Sequence, residues 1–199
     1  KDGYVVNLGI GLPTLVASYL PKDKQVTFQS ENGLLGMGGV IPEEEADYNI
    51  TNAGAQYVSI NSGASFFDSA MSFAVIRGGH VDVTVLGALQ VDEKGNIASH
   101  MIPGKMVPGM GGAMDLLAGS KKVIAALVHT AKGQPKVLKK CTLPLTAAGK
   151  VNMIVTEKGV FEVTPEGLFL TEVLDGSSVE DIKNSTEADI IIKEGLLSK

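Results

Sequence analysis

The sequence predicts an α/β fold: a largely parallel open sheet with helices on both faces, plus a small antiparallel portion. Three observations carry this. Apolar, β-branched runs of strand length alternate along the chain with segments of helical periodicity. Glycine turns punctuate that alternation, grouped at Gly9/Gly11, Gly33 to Gly39, Gly78/Gly79 and Gly109 to Gly112, where backbone must bend sharply or approach something closely. Near the end, two β-rich runs flank one short turn, which supplies the antiparallel part.

Taken in order, residues 5–8 read as a strand, 9–11 as a turn and 13–20 as a helix with Pro13 in its first turn. Residues 26–29 form a short strand that runs into Ser30-Glu31-Asn32-Gly33. Residues 66–76 read as a helix, with Phe67, Met71, Ala74 and Val75 near one face. The longest strand candidate is 81–91, and 123–128 and 152–156 are buried-strand candidates. The hairpin-like stretch is 159–163 with 167–173. Beyond it, 178–183 and 186–189 look like short capped helices. No internal repeat, linker or low-complexity tract interrupts the chain, so residues 1–199 are expected as a single domain.

The net charge of −5 argues against a general nucleic-acid binder. Its distribution says more. Residues 101–141 carry Lys105, Lys121, Lys122, Lys132, Lys136, Lys139 and Lys140 against the single acid Asp115, a local balance of +6 that leaves −11 on the rest. A basic middle on an acidic chain suits an anionic small ligand, or else places solvated lysines on surface turns. One cysteine excludes an internal disulfide and fits a reducing, cytoplasmic setting. No apolar run reaches the ~18 to 20 residues that span a bilayer. The chain starts at Lys1 and enters a strand-like run at once, as a trimmed start would, which leaves a lost targeting segment open.

In sheets of this class ligands gather outside the carboxyl ends of strands, and three loops qualify. Asn7-Leu8-Gly9-Ile10-Gly11-Leu12-Pro13 has the look of a phosphate-cradling turn, but two glycines without the third make a tight strand-to-helix turn the simpler reading. Phe28-Gln29-Ser30-Glu31-Asn32-Gly33-Leu34-Leu35-Gly36 sets a carboxylate at a strand end, before glycines that could leave it open to approach. As bare chemistry Glu31 is a nucleophile, a general base, or a turn residue satisfied by local N–H groups. Pro108-Gly109-Met110-Gly111-Gly112-Ala113-Met114-Asp115 leads into a helical stretch whose first N–H groups could hold an anion or a developing oxyanion, or could serve only close packing. His80, His100 and His129 lack metal-ligand spacing, and no Cys/His/carboxylate cluster suggests a metal. Cys141 reads as a buried structural thiol, and Glu43-Glu44-Glu45 as a solvated acidic turn.

The second loop, Phe28 to Gly36, resembles the active-site signature of the B (beta) subunits of family I coenzyme A transferases. The likeness extends through Val6-Asn7-Leu8-Gly9-Ile10-Gly11, Arg77-Gly78-Gly79-His80-Val81-Asp82, Gly109-Met110-Gly111-Gly112-Ala113-Met114-Asp115-Leu116 and Lys139-Lys140-Cys141-Thr142-Leu143-Pro144-Leu145-Thr146, and so covers most of the chain. It is nearest to the acetate, butyrate and acetoacetate transferases, with 3-oxoacid and 3-oxoadipate transferases as near relatives. It departs at Ser99-His100, where relatives often carry Asn-Trp.

The resemblance implies Glu31 as nucleophile in a ping-pong transfer of CoA between a short-chain acyl-CoA or 3-oxoacyl-CoA and a free carboxylic acid, as in short-chain fatty acid metabolism. An acyl-glutamyl anhydride would precede a glutamyl-CoA thioester. It implies the Asn7 side chain and the backbone N–H groups of Gly112 and Ala113 as oxyanion and substrate-binding donors. It implies no cofactor, with coenzyme A as a substrate, and an A (alpha) subunit as partner in a heterotetramer, with no nucleic acid and no membrane. The lysine-rich middle would contribute to binding the CoA phosphates. Two competing readings are an isomerase acting on a sugar phosphate with Glu31 as general base, and a noncatalytic subunit that keeps the fold. Hydrolysis of acyl-CoA is a variant in which water replaces the acceptor acid.

Overall fold

A computed structural model describes residues 1–196 apart from Lys22 and Pro108. Pro108, the first residue of the third glycine loop, therefore lies outside the described residues. The chain divides into two compact units, Lys1–Leu86 with Asp115–Lys122, and Gly87–Met114 with Val123–Lys199.

The first unit is built on β1 (Tyr4–Leu8), β2 (Val26–Ser30), β3 (Leu34–Val40), β4 (Val58–Phe66) and β5 (Val83–Gly87), in the order β5-β1-β2-β3-β4. β1 runs parallel to both β2 and β5, and the β2-β3 and β3-β4 pairs are antiparallel. The parallel core follows from crossovers: the segment expected as a helix over 13–20 is a 3-10 helix, Leu12–Tyr19, joining β1 to β2. A second crossover, α1 (Ser69–Arg77), joins β4 to β5. Val6, Phe28, Leu34, Met37 and Val58 are buried together, with Ala17 and Leu20 of the first crossover packed against them, each removing apolar surface worth about 1.5–3 kcal/mol.

Two expectations for this unit change. Residues 66–76 are not one helix: Phe66 ends β4, and α1 starts only after Asp68, whose carboxylate accepts the Met71 N–H at 2.8 Å. The buried face is also different. Ser72 and Ile76, one turn apart, are fully buried, while Met71 and Ala74 face solvent. The apolar count misplaced the face because a serine occupies the position turned toward the sheet. The candidate strand 81–91 is likewise shorter: β5 stops at Gly87, and β6 (Gln90–Asp92) resumes in another sheet.

The strands β3 and β4 lie in a stretch for which no strand was expected, and the glycines explain why. A Cβ on Gly36 would stand 2.9 Å from Ala64 Cα, and one on Gly38 would stand 2.3 Å from Ser59 Oγ. Much of the glycine run after Glu31 thus allows close strand packing, with register shifts at Leu35/Met37 and Met37/Val40.

The second unit contains β6, β7 (Ile97–Ala98), α2 (Ala113–Gly119, shared with the first unit), β8 (Lys122–Ala126), β9 (Thr130–Ala131), β10 (Gln134–Pro135), β11 (Val137–Leu138), β12 (Met153–Val155), β13 (Gly159–Thr164), β14 (Gly167–Val173), α3 (Val179–Ser185) and β15 (Ile190–Ile192). Its main strands follow the order β15-β14-β13-β12-β8, parallel at β8-β12 and β14-β15 and antiparallel across β12-β13-β14. The expected hairpin is β13-β14, and the expected strands at 123–128 and 152–156 are β8 and β12.

Ser178 caps α3, its hydroxyl accepting from the Asp181 N–H at 3.1 Å. Residues 186–189 do not form the expected helix. The Thr186 hydroxyl turns back to donate to the Ile182 carbonyl, and the Glu187 N–H donates to the Val137 carbonyl, so the segment is drawn out and continues as β15. Among the described residues no helix is long and apolar enough to cross a membrane.

Candidate active site

Glu31 occupies the turn between β2 and β3, half-buried, and the residues around it are tied down individually. On one side the Ser30 hydroxyl accepts the Ala53 N–H at 3.0 Å. On the other the Asn32 side-chain amide donates to the Thr51 carbonyl at 2.7 Å. The loop that receives both is itself closed by Asn52, whose Oδ1 accepts from the N–H groups of Gly54 and Gln56. Gly33 completes the turn: its N–H donates to the Ser30 carbonyl and its carbonyl accepts from Phe67 N–H. With φ at +116°, and a Cβ position that would lie 2.0 Å from the Phe67 oxygen, this position admits only glycine.

Behind the turn lies a row of buried polar residues that the apolar strands would not lead one to expect. Asn7 on β1 is in register with Gln29 on β2 and with Thr84 on β5. None of the three is more than 2% exposed. The Asn7 amide nitrogen donates to Gln29 Oε1 at 2.7 Å and to the Gln29 carbonyl at 3.2 Å. Gln29 Nε2 in turn contacts the Ser72 hydroxyl of α1 at 2.9 Å and donates to the Ser30 carbonyl at 3.1 Å. The Thr84 hydroxyl is buried without a partner.

Of the four residues singled out from the sequence, Asn7 and Glu31 are in the first unit, at the carboxyl ends of neighbouring parallel strands. Gly112 and Ala113 belong to the second unit, in the turn that opens α2. There the Ala113 N–H donates to the Met110 carbonyl at 3.0 Å, and Gly112 is buried. The Asn7 and Ala113 donors are therefore engaged within the protein, and each would have to share or exchange a bond to meet an oxyanion. The first loop is a tight turn: a Cβ on Gly9 would press on Leu86 and the Val85 carbonyl, and Gly11 has φ +84°.

The lysine-rich run does not form one field of free charge. Lys121 pairs with Asp82 at 2.7 Å and Lys139 with Asp189 at 2.5 Å. Burial holds Lys136 below the usual lysine range. Cys141 is half-buried, and burial together with the nearby Asp92 carboxylate pushes its thiol up to about 12, which suits a packing role and not a nucleophile. Glu43–Glu45 is an exposed 3-10 turn. Among the described residues no group of three His, Cys, Asp or Glu side chains is placed to hold a metal.

Sequence reasoning passed over Gln29, Ser72 and the Ser30/Asn32 clamps. The available signal was a polar residue near the carboxyl end of β1 and of β2, Asn7 and Gln29, and another inside β5, Thr84.

The coenzyme A transferase family model matches residues 1–185. Acetate CoA-transferase subunit beta of Haemophilus influenzae is 57% identical over 194 residues, covering 97% of this chain and 86% of the relative. The protein of the same name from Escherichia coli K12 is 55% identical over 189 residues, covering 94% and 86%. Among solved structures, an acyl-CoA transferase from Escherichia coli O157:H7, in a thioester complex with CoA, superposes with a TM-score of 0.76 at 25% identity. The match covers 98% of this chain and 40% of that one.

Proposed function

This chain belongs to the coenzyme A transferase family, and from that premise we propose that it moves CoA between a short-chain acyl-CoA or 3-oxoacyl-CoA and a free carboxylic acid, through a glutamyl-CoA thioester on Glu31. The observation that carries the proposal is the clamped turn. A half-buried carboxylate stands at a strand end, with both sequence neighbours hydrogen-bonded to a single supporting loop.

The chemistry needs little beyond this. The Glu31 carboxylate attacks the thioester carbonyl, the C–S bond breaks, and an acyl-glutamyl anhydride and CoA thiolate result. The thiolate then attacks the glutamyl carbonyl, the anhydride C–O bond breaks, and the first acid leaves as its carboxylate. One negative charge enters and one leaves at each step, and no proton is transferred. Such a sequence has no call for a general acid or base; its barriers lie in the tetrahedral oxyanions. The Asn7 amide is the donor this unit offers, and Gly112 and Ala113 are proposed as further donors. Losing one such donor costs about 3 kcal/mol of barrier. Holding the acyl groups and CoA as covalent species keeps the thioester from being lost to water.

The reading includes an A (alpha) subunit, in a heterotetramer, as the partner that completes the active assembly. It treats the two units as one catalytic domain, because the chain passes between them more than once. Coenzyme A is substrate and no cofactor is required. A cytoplasmic setting rests on the single cysteine. The test is Glu31→Ala, assembled with the A subunit: it is expected to fold and assemble while transfer falls by about 10³-fold or more. Transfer at the parent rate would remove Glu31 as the nucleophile.

A further inference from the structure

The hydrogen-bond chain behind Glu31 has a direction, and that direction reaches Asn7. A backbone carbonyl can only accept. The Ser30 carbonyl, 3.1 Å from the Gln29 side chain, therefore requires Nε2 at that end. With Nε2 so placed, the Gln29 amide presents Oε1 to β1, where it takes a hydrogen from Asn7 Nδ2 at 2.7 Å. The Gln29 backbone carbonyl, at 3.2 Å from the same nitrogen, imposes the same orientation on Asn7. Ser72, whose hydroxyl can give or receive, holds Gln29 in place from α1. The Ser30 carbonyl belongs to the peptide that enters Glu31. One chain of three groups, with Ser72 as a side support, thus runs from the peptide bearing the nucleophile to the amide on the neighbouring strand.

We propose that Gln29 is a positioning residue for transfer: it sets the polarity of the Asn7 amide, holding one of its hydrogens firmly so that the other can turn to a developing oxyanion. The two bonds differ as this requires, the short one going to the Gln29 side chain and the longer one to its backbone oxygen. Without Gln29 Oε1 the Asn7 amide keeps only the longer bond to the Gln29 backbone carbonyl, and can more readily turn its oxygen to where its nitrogen should be. An oxygen there would repel the charge that a nitrogen stabilises. The proposal rests on the reading of Asn7 as an oxyanion donor.

The experiment is a double-mutant cycle on the enzyme assembled with its A subunit, using Gln29→Met, Asn7→Ala and the pair, with kcat and KM for acyl-CoA measured separately. Gln29→Met is expected to lower kcat by about 10- to 100-fold with KM changed by less than about threefold, and to cost less than about twofold once Asn7 is alanine. A residue that only supports the fold would lower thermal stability and lose the same factor in both backgrounds, which would overturn the proposal. An unchanged kcat in Gln29→Met beside a reduced one in Asn7→Ala overturns the positioning role alone. An unchanged kcat in Asn7→Ala removes the donor reading and the positioning role with it. Should Gln29→Met fail to fold, Ser72→Ala leaves the Gln29 side chain in place and frees it from α1. It is expected to lower kcat about 3- to 10-fold in the parent and not at all in Asn7→Ala; an equal loss in both contradicts the proposal.

Discussion

At the scale of the residue, the turn that carries Glu31 shows how much structure one carboxylate requires. Ser30, Asn32 and Gly33 each make a hydrogen bond that fixes the backbone around it, and the acidic residue is held by its neighbours. Gly33 is the most exacting of them. Gly33→Ala would force a side chain into the Phe67 carbonyl at a φ of +116°. A loss of ~3 kcal/mol is expected, read as a lower denaturation midpoint with an unchanged slope. A variant as stable as the parent would mean that the turn relaxes freely and does not hold the carboxylate. The placement of Asn7 and Glu31 at strand ends was legible in the sequence, and their proposed roles come from the family resemblance. The sequence did not carry Gln29 or Ser72, because a buried polar pair is recognised only once two strands and a helix are set side by side.

At the scale of the element, glycine and serine account for most of the differences between expectation and structure. The strands β3 and β4 were hidden because Gly36 and Gly38, which weaken a strand reading, are what let the pair approach. The buried face of α1 was misread because Ser72 takes the place of an apolar residue there to meet Gln29. The hairpin β13-β14 was legible because two β-rich runs flank one short turn, and the pairing closes across Thr164 and Gly167.

The second unit has its own buried polar junction. His129 is fully buried, its two ring nitrogens 3.0 Å from the Thr156 hydroxyl and 2.9 Å from the Thr186 hydroxyl, with Phe161 beside it. It thereby ties the end of β12 to the end of α3. Burial holds its pKa below the ordinary value of 6.5, against the opposing pull of Glu157 and Asp181; Lys158 acts in the same direction as burial. The unfolded chain takes up this proton near pH 6.5 and the folded chain only at lower pH. The contribution of a neutral His129 is therefore complete above about pH 6.5 and is lost as the pH falls from there toward the depressed folded value. Thermal midpoints of the parent should drop over that window more steeply than those of His129→Gln, which does not titrate. Parallel curves for the two proteins would show that His129 does not titrate with folding.

At the scale of the whole molecule, a family-wide likeness over residues 1–185 converges on one carboxylate as the proposed nucleophile. The family match over residues 1–185 weighs against the isomerase reading, and the covalent step proposed for Glu31 is what separates the transferase from a noncatalytic subunit that keeps the fold. Of the basic middle, conspicuous along the sequence, Lys121 and Lys139 are ion-paired and Lys136 is partly buried, while Lys105, Lys132 and Lys140 stay exposed. Charge counted along a chain ignores which partners folding will supply. What stays specific at this scale is the covalent step. The enzyme, assembled with its A subunit, should be given acyl-CoA without an acceptor acid, reduced with borohydride and digested, and the peptides weighed by mass spectrometry. The account predicts that Glu31 alone is converted to the alcohol left by a reduced thioester. Full turnover with an unmodified Glu31 would contradict it.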